Sequence, residues 1–214
     1  MAHFRRITSL LILASMLMLI STTSTLAAAP TTLTCWHDIE SNNGGFYDSK
    51  TITYGQQKLN TNTNFHFNAG NLAAAQLWSS KLGLTLNSTL TYSSGNIRIQ
   101  GGTLNELISA GWTSFTSSYA GLTSWGTAVS TTTITFNGTN HIIYSFKLTN
   151  GNQIAIKDDN YSSTQTEITA KHEMGHALGF IGHSATGLLN ANNTSTSTPT
   201  TNEIAHIKQF YAKV

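Results

Sequence analysis

Residues 172–184 read HEMGHALGFIGHS, and this stretch decides the prediction for the whole chain. Residues four apart share one face of a helix, so His172 and His176 can point at the same ion. Two neutral imidazoles at this spacing suit Zn²⁺, and Glu173 between them can act on a metal-bound water as general base. Gly179 stands where a left-handed residue would end the helix, which lets the chain turn back and offer His183 as third ligand. Three protein ligands leave a coordination position for water, so the pattern predicts a zinc hydrolase.

Capping signals on both sides of this motif predict helices. Residues 164–167 (TQTE) match a capping box and predict that a helix begins about one and a half turns before His172. Residues 200–203 (TTNE) repeat the pattern directly after Pro199. They predict a C-terminal amphipathic helix, whose inward residues would be Ile204, Ile207 and Tyr211.

The first half of the chain alternates predicted strands and a helix. Residues 51–54 (TITY) have the β-branched and aromatic content of a strand, and residues 96–100 (NIRIQ) alternate polar and apolar residues. Residues 71–82 between them predict a helix that stops at Gly83. The buried side of this helix would comprise Leu72, Ala75, Trp78 and Leu82.

Further strands are predicted between residues 120 and 157. A short helix over 104–108 precedes an edge strand at 122–129, and residues 131–136 form a clearer strand that Asn137-Gly138 closes. The segments 142–148 and 153–156 flank a second Asn-Gly dipeptide, which predicts a hairpin between them. In that hairpin Phe146, Leu148, Ile154 and Ile156 would share one face.

The N-terminus has the order of regions that is typical of a secretory signal peptide. Arg5 and Arg6 precede an apolar run at 10–20, and small residues lead to Ala27-Ala28-Ala29. We therefore predict a signal peptide over residues 1–28 and a secreted, extracellular protein. Association with the cell surface is compatible with this prediction. An uncleaved membrane anchor is the alternative; after cleavage we expect no stable membrane association.

Composition excludes some classes of partner. Of 11 Lys and Arg residues two fall in the predicted signal peptide, which leaves nine against nine Asp and Glu, so nothing favours nucleic-acid binding. Cys35 is the only cysteine, so an intramolecular disulfide is excluded. We predict a short N-terminal segment over 29–47, one catalytic domain over 48–214, and a monomer.

The run GHALGFIGHS resembles the matrixin branch of the metzincin metalloproteases, whose zinc signature is HExxHxxGxxH followed by Ser. TITY, AAAQLWSSKLGLTL and NIRIQ are similar to the first strand, first helix and third strand of a matrixin domain, and TNEIAHIKQFY to its last helix. The resemblance covers residues 48–212. It implies an α+β fold, with a twisted, mixed five-stranded sheet, a first long helix, an active-site helix and a C-terminal helix.

The resemblance also implies one catalytic zinc held by His172, His176 and His183. Glu173 would be general base and then acid, and a peptide substrate would lie along an edge strand. The expected activity is that of a secreted zinc endopeptidase. Three alternatives stay open: a zinc-retaining extracellular binding protein with little activity, a gluzincin-type peptidase with Glu203 as third ligand, and a surface-interaction protein with incidental histidines.

This sequence departs from the matrixin pattern in three places. Three residues separate Gly179 from His183 where the family has two, and Leu189 stands where the family places a methionine beneath the metal. The region that binds a structural zinc in mammalian matrixins has only His141, so we predict no structural zinc.

Two further side-chain groups have competing interpretations. Asp158 and Asp159 are candidate Ca²⁺ ligands, although a solvated loop pair is the favoured interpretation. For Cys35 we favour a half-buried free thiol over a contact to the zinc before activation, because the family's surrounding switch motif is missing.

Overall fold

The computed structural model describes residues 28–59, 66–149, 151–157 and 161–214. Almost all of the predicted signal peptide lies outside these ranges, as do the candidate calcium ligands Asp158 and Asp159. Within them, no helix is both long and apolar enough to cross a membrane.

These described ranges form eight strands and four α-helices. The strands are β1 (Asn43–Tyr47), β2 (Thr51–Lys58), β3 (Thr85–Ser88), β4 (Ile97–Gly102), β5 (Gly121–Ser124), β6 (Ala128–Phe136), β7 (Thr139–Phe146) and β8 (Gln153–Lys157). The helices are α1 (His66–Leu82), α2 (Leu104–Ser109), α3 (Ser163–Ala177) and α4 (Thr201–Lys208), and one 3-10 turn, Gln209–Tyr211, extends α4.

Five strands form a mixed sheet in the order β3-β2-β4-β8-β5. The first four are parallel and β5 pairs antiparallel with β8, which leaves β5 at one edge. The predicted mixed five-stranded sheet with several helices is therefore confirmed. Helices α1 and α3 pack against each other, and the Trp78 indole joins them by donating to the carbonyl of Lys171 at 2.8 Å.

A second sheet, in the order β1-β7-β6, was not expected from the sequence. The predicted hairpin between residues 142–148 and 153–156 is wrong, because β7 pairs with β6 and β1 while β8 lies in the five-stranded sheet. The hairpin instead turns at the other Asn-Gly dipeptide. Asn137 and Gly138 both have positive φ, 49° and 78°, as a tight two-residue hairpin turn requires.

The N-terminal segment 29–47, which the sequence analysis set apart from residues 48–214, packs into the same core. Leu33, Phe46 and Tyr47 belong to the main cluster of buried apolar residues, and β1 pairs in parallel with β7. Residues 29–47 therefore share one hydrophobic core with the rest of the described chain. Polar composition between residues 31 and 45 concealed a short strand whose hydrogen-bond partners lie about 100 residues further along the chain.

The predicted helices are present, with corrected starts and faces. Helix α3 begins at Ser163, and its capping box pairs Ser162 with Gln165 rather than residues 164 and 167. Helix α4 has the predicted box of Thr200 and Glu203. Leu72, expected on the buried side of α1, is half exposed. The buried residues of this helix are Phe67, Gly70, Asn71, Ala74, Ala75, Trp78 and Leu82.

Candidate metal centre

The last turns of α3 and the loop after it bring three histidines together. His172 and His176 are one turn apart on α3, and their Nε2 atoms are 2.9 Å from each other. His183 joins them, so that one ligand atom of each residue lies within 4.8 Å of the others. Among the described residues this is the only group of three or more His, Cys, Asp or Glu side chains with such spacing.

The second nitrogen of each imidazole is held by an oxygen. His172 Nδ1 lies 2.7 Å from the Leu188 carbonyl, and His176 Nδ1 lies 2.6 Å from the Phe180 carbonyl. Carbonyl oxygens only accept, so both Nδ1 atoms carry the proton and both Nε2 atoms present lone pairs to each other. Lone pairs at this separation repel unless a cation lies between them, and this arrangement of donors is the one that a metal ion fits.

Burial keeps the two helical histidines neutral. It lowers the pKa of His172 to about 4, against a weaker opposing effect of the Leu188 carbonyl. Burial also lowers the pKa of His176 well below its ordinary value, and the neighbouring His172 adds to that shift. Since metal ions compete with protons for the same lone pair, both side chains are ready to bind a cation at neutral pH.

The loop from helix to third histidine depends on two glycines. Gly179 has φ +124° and Gly182 has φ +103°, conformations that residues with a side chain rarely adopt. A Cβ on Gly179 would collide with the carbonyl of Gly45 in β1, and one on Gly182 would collide with the Asp38 carboxylate. The loop between Gly179 and His183, which is one residue longer than in the matrixin pattern, thus lies directly against the N-terminal segment.

The end of α3 is fixed by buried donors. The Asn152 side chain donates to the Ala177 carbonyl at 2.6 Å, and the Tyr211 hydroxyl donates to the Leu178 carbonyl at 3.0 Å. Helix-terminal carbonyls have no partner within the helix, so these two bonds set the point at which the chain leaves it. They thereby fix where the loop toward His183 begins.

Glu203, the alternative third ligand, is directed elsewhere. It is fully buried, and its carboxylate accepts from Ser184 Oγ and from the backbone N–H groups of Leu188, Leu189 and Thr200. The structure therefore brings His183, and not Glu203, to the other two histidines.

Leu189 is fully buried beside α3. Its Cδ2 lies 2.7 Å from where a Cβ on Gly175 would be, so it packs directly on the helix between the two histidine turns. The preceding residue, Leu188, supplies the carbonyl that holds His172. Leucine thus fills the space beneath the histidines, and the backbone next to it orients one of them.

Glu173 lies next to the histidines in a buried position. The Thr123 hydroxyl of β5 donates to Glu173 Oε2 at 2.7 Å, and Gly121 lies so close that a Cβ there would collide with the carboxylate. Burial raises the pKa of Glu173 to about 7, although the Thr123 hydrogen bond opposes that shift. A carboxyl with this pKa can both accept and release a proton near neutral pH.

The histidines and Glu173 line a cleft of about 640 Å³. One wall is β5 with the residues around it, including Tyr119 and Trp125, which are 44% and 42% exposed. The lining also includes Ile168 and Thr169 of α3 and the loop at residues 191–194, none of which carries a charge.

Sequence reasoning missed several residues that contact the site. Glu40, Thr123 and Gly121 are not near the motif in sequence, and no local pattern distinguishes them. Cys35 is half buried and its carbonyl accepts from the Gln209 side chain, away from the three-histidine group. Burial raises the pKa of its thiol, which favours the protonated form.

The comparisons with known proteins leave this geometry as the main basis for a functional conclusion. No family model matches the sequence, and no curated protein matches it significantly.

Proposed function

We propose that this protein is a zinc-dependent endopeptidase of matrixin-like fold. One observation carries the proposal: three histidines converge through their unprotonated nitrogens beside a buried glutamate, on the floor of an open cleft. Three nitrogen ligands with an adjacent carboxylate are typical of catalytic rather than structural zinc sites.

His172, His176 and His183 would hold the ion, which when bound polarises a carbonyl and lowers the pKa of water. Glu173 then accepts the proton of the attacking water and delivers it to the leaving amine. Its raised pKa suits both transfers, because a stronger acid would accept the proton poorly and a weaker one would release it slowly. The Thr123 hydroxyl donates to Glu173 Oε2 and so restricts rotation of the carboxylate.

Strand β5 favours an extended peptide as substrate. It pairs on one side with β8, and in the described chain no strand occupies its other side. An extended peptide can add to such an edge through main-chain hydrogen bonds. The cleft wall formed by Ile168, Thr169 and residues 191–194 carries no charge, which favours neutral side chains of the substrate.

Secretion after cleavage of the signal peptide is part of the same proposal. The alternative class is an extracellular protein that retains zinc and binds partners without cleaving them. The buried Glu173 with its raised pKa favours the enzyme, since a binding protein has no need for a proton acceptor at this position.

Purified protein should contain one zinc per chain and cleave casein or a peptide library. Glu173→Gln preserves shape but removes the proton acceptor, so we expect kcat/KM to fall by about 10²–10⁴-fold while zinc stays bound. Glu167→Gln, on the same helix but outside the cleft, is the control and should retain activity.

Stoichiometric zinc in an inactive wild-type protein would favour the binding protein. Absence of bound zinc from the wild type would refute both and favour a surface-interaction role.

A further inference from the structure

Residues 38–45 run alongside the loop 179–183 over its whole length. In β1, the Gly45 N–H donates to the Gly179 carbonyl at 3.0 Å, and Gly44 forms an antiparallel bridge with Phe180. The pairing continues beyond the strand, where the Ser41 hydroxyl donates to the Ile181 carbonyl at 2.8 Å. We call residues 38–45 the template segment.

The contacts extend to the third histidine itself. The Ile39 N–H donates to the His183 carbonyl at 3.0 Å, and Asp38 Oδ1 accepts from the N–H groups of Glu40 and Ser41. These bonds shape the template segment so that the Glu40 side chain reaches the His183 ring. Glu40 Oε2 lies 2.7 Å from His183 Nδ1.

His183 needs such a partner more than the other two histidines do. His172 and His176 extend from a packed helix, whereas His183 follows two glycines on a loop, and its side chain is 29% exposed. A free imidazole at that position can rotate and can carry its proton on either nitrogen. The Glu40 carboxylate requires a proton on Nδ1 and therefore leaves Nε2 free toward the other histidines.

We propose that Glu40 is a positioning residue for the metal centre: it orients His183, selects its tautomer and strengthens its bond to zinc. This inference rests on the proposed zinc site. Glu40 acts through His183 rather than on the substrate. The template segment thus supplies a part of the centre that the histidine motif does not contain.

Stability and metal affinity should respond differently to loss of this contact. The Glu40 side chain is half exposed, and an exposed hydrogen bond of this kind contributes at most about 1 kcal/mol to folding. Removal of a carboxylate that holds a histidine ligand costs roughly 10–100-fold in metal affinity. Loss of a contact that only stabilised the fold would not lower metal affinity by so large a factor.

The test compares Glu40→Ala, Glu40→Gln and the control Glu167→Gln, with zinc affinity measured by competition against a chromophoric chelator. We expect affinity to fall roughly 10–100-fold for Glu40→Ala. Glu40→Gln should lose less, because its amide oxygen still accepts from Nδ1. Glu167→Gln removes an equally charged group that pairs with Lys171 and should change affinity by less than about 2-fold.

A double-mutant cycle identifies the route of the effect. In a His183→Ala background Glu40→Ala should have no further effect on zinc affinity, because its partner is gone. An equal loss in both backgrounds would show that Glu40 acts by general charge and would overturn the proposal. If the wild-type protein binds zinc and the Glu40→Ala variant binds it equally tightly, this inference alone is overturned. If the wild type does not bind zinc, the proposed function is overturned too.

Discussion

Replacement of Glu203 by alanine should destabilise the protein strongly even without metal. The Glu203 carboxylate accepts two buried N–H groups, from Leu188 and Leu189, at 3.2 and 2.6 Å. It also accepts the N–H of Thr200 at 2.6 Å as part of the cap of α4. Leu188, Leu189 and Glu203 are all fully buried, so these two N–H groups have no contact with bulk solvent.

The size of the effect follows from these contacts. Each buried N–H that loses its acceptor costs about 1–3 kcal/mol, so the pair costs about 4 kcal/mol, and the lost cap adds about 1 kcal/mol. We therefore expect the free energy of unfolding to fall by about 5 kcal/mol. Urea denaturation in EDTA, monitored by tryptophan fluorescence, measures this quantity without a contribution from bound metal.

Glu106→Ala is the matched control for this measurement. Glu106 has the same place in the capping box of α2, where it accepts from the N–H of Thr103 at 2.8 Å. Its loss should cost about 1 kcal/mol, the ordinary value of a helix cap. Equal losses in the two variants, or a loss below about 2 kcal/mol for Glu203→Ala, would refute the reasoning that the buried N–H groups of the loop depend on Glu203.

Two further predictions concern His206 and Leu189. Burial lowers the pKa of His206 to about 3. As pH falls below 6.5, the unfolded chain therefore takes up a proton at this histidine that the folded chain does not. The free energy of unfolding then falls by up to about 1.4 kcal/mol per pH unit. Denaturation between pH 7 and pH 4 should show a shallower fall for His206→Gln, and an identical slope would contradict this assignment. Leu189→Met nearly conserves volume, so unfolding free energy should change by less than about 1.5 kcal/mol, with zinc affinity within about 2-fold. A large gain in affinity would show that leucine is a poor substitute at this position.

Much of the site could be predicted because its central residues are local in sequence. His172 and His176 are four residues apart on one helix, so their spacing alone places them on one face, and Glu173 lies in the same turn. His183 was also correctly predicted to join them, since two glycines allow the chain to return. Glu40 was not, because 143 residues separate it from His183 and no pattern near either residue encodes the contact.

The error in strand pairing has a related cause. Both Asn-Gly dipeptides satisfy the local requirement for a hairpin turn, at Asn137-Gly138 and at Asn150-Gly151. The choice between them depends on neighbours that are distant in sequence: β1 takes one side of β7, and β4 takes one side of β8. Local propensity identified β6, β7 and β8 but could not decide which of them would share a sheet.

The position of the template segment has a consequence for the order of events in folding. It contacts the histidine loop, and the residues just before it, Thr34 and His37, donate their backbone N–H groups to Gln209 and His206 near the end of the chain. Contacts between such distant parts of a chain form late, since a long loop must close before they contribute any energy. The helix with its two histidines can form early, but a complete three-histidine centre is a product of the last steps of folding. Capacity to bind zinc tightly would therefore report that the chain has reached its native state.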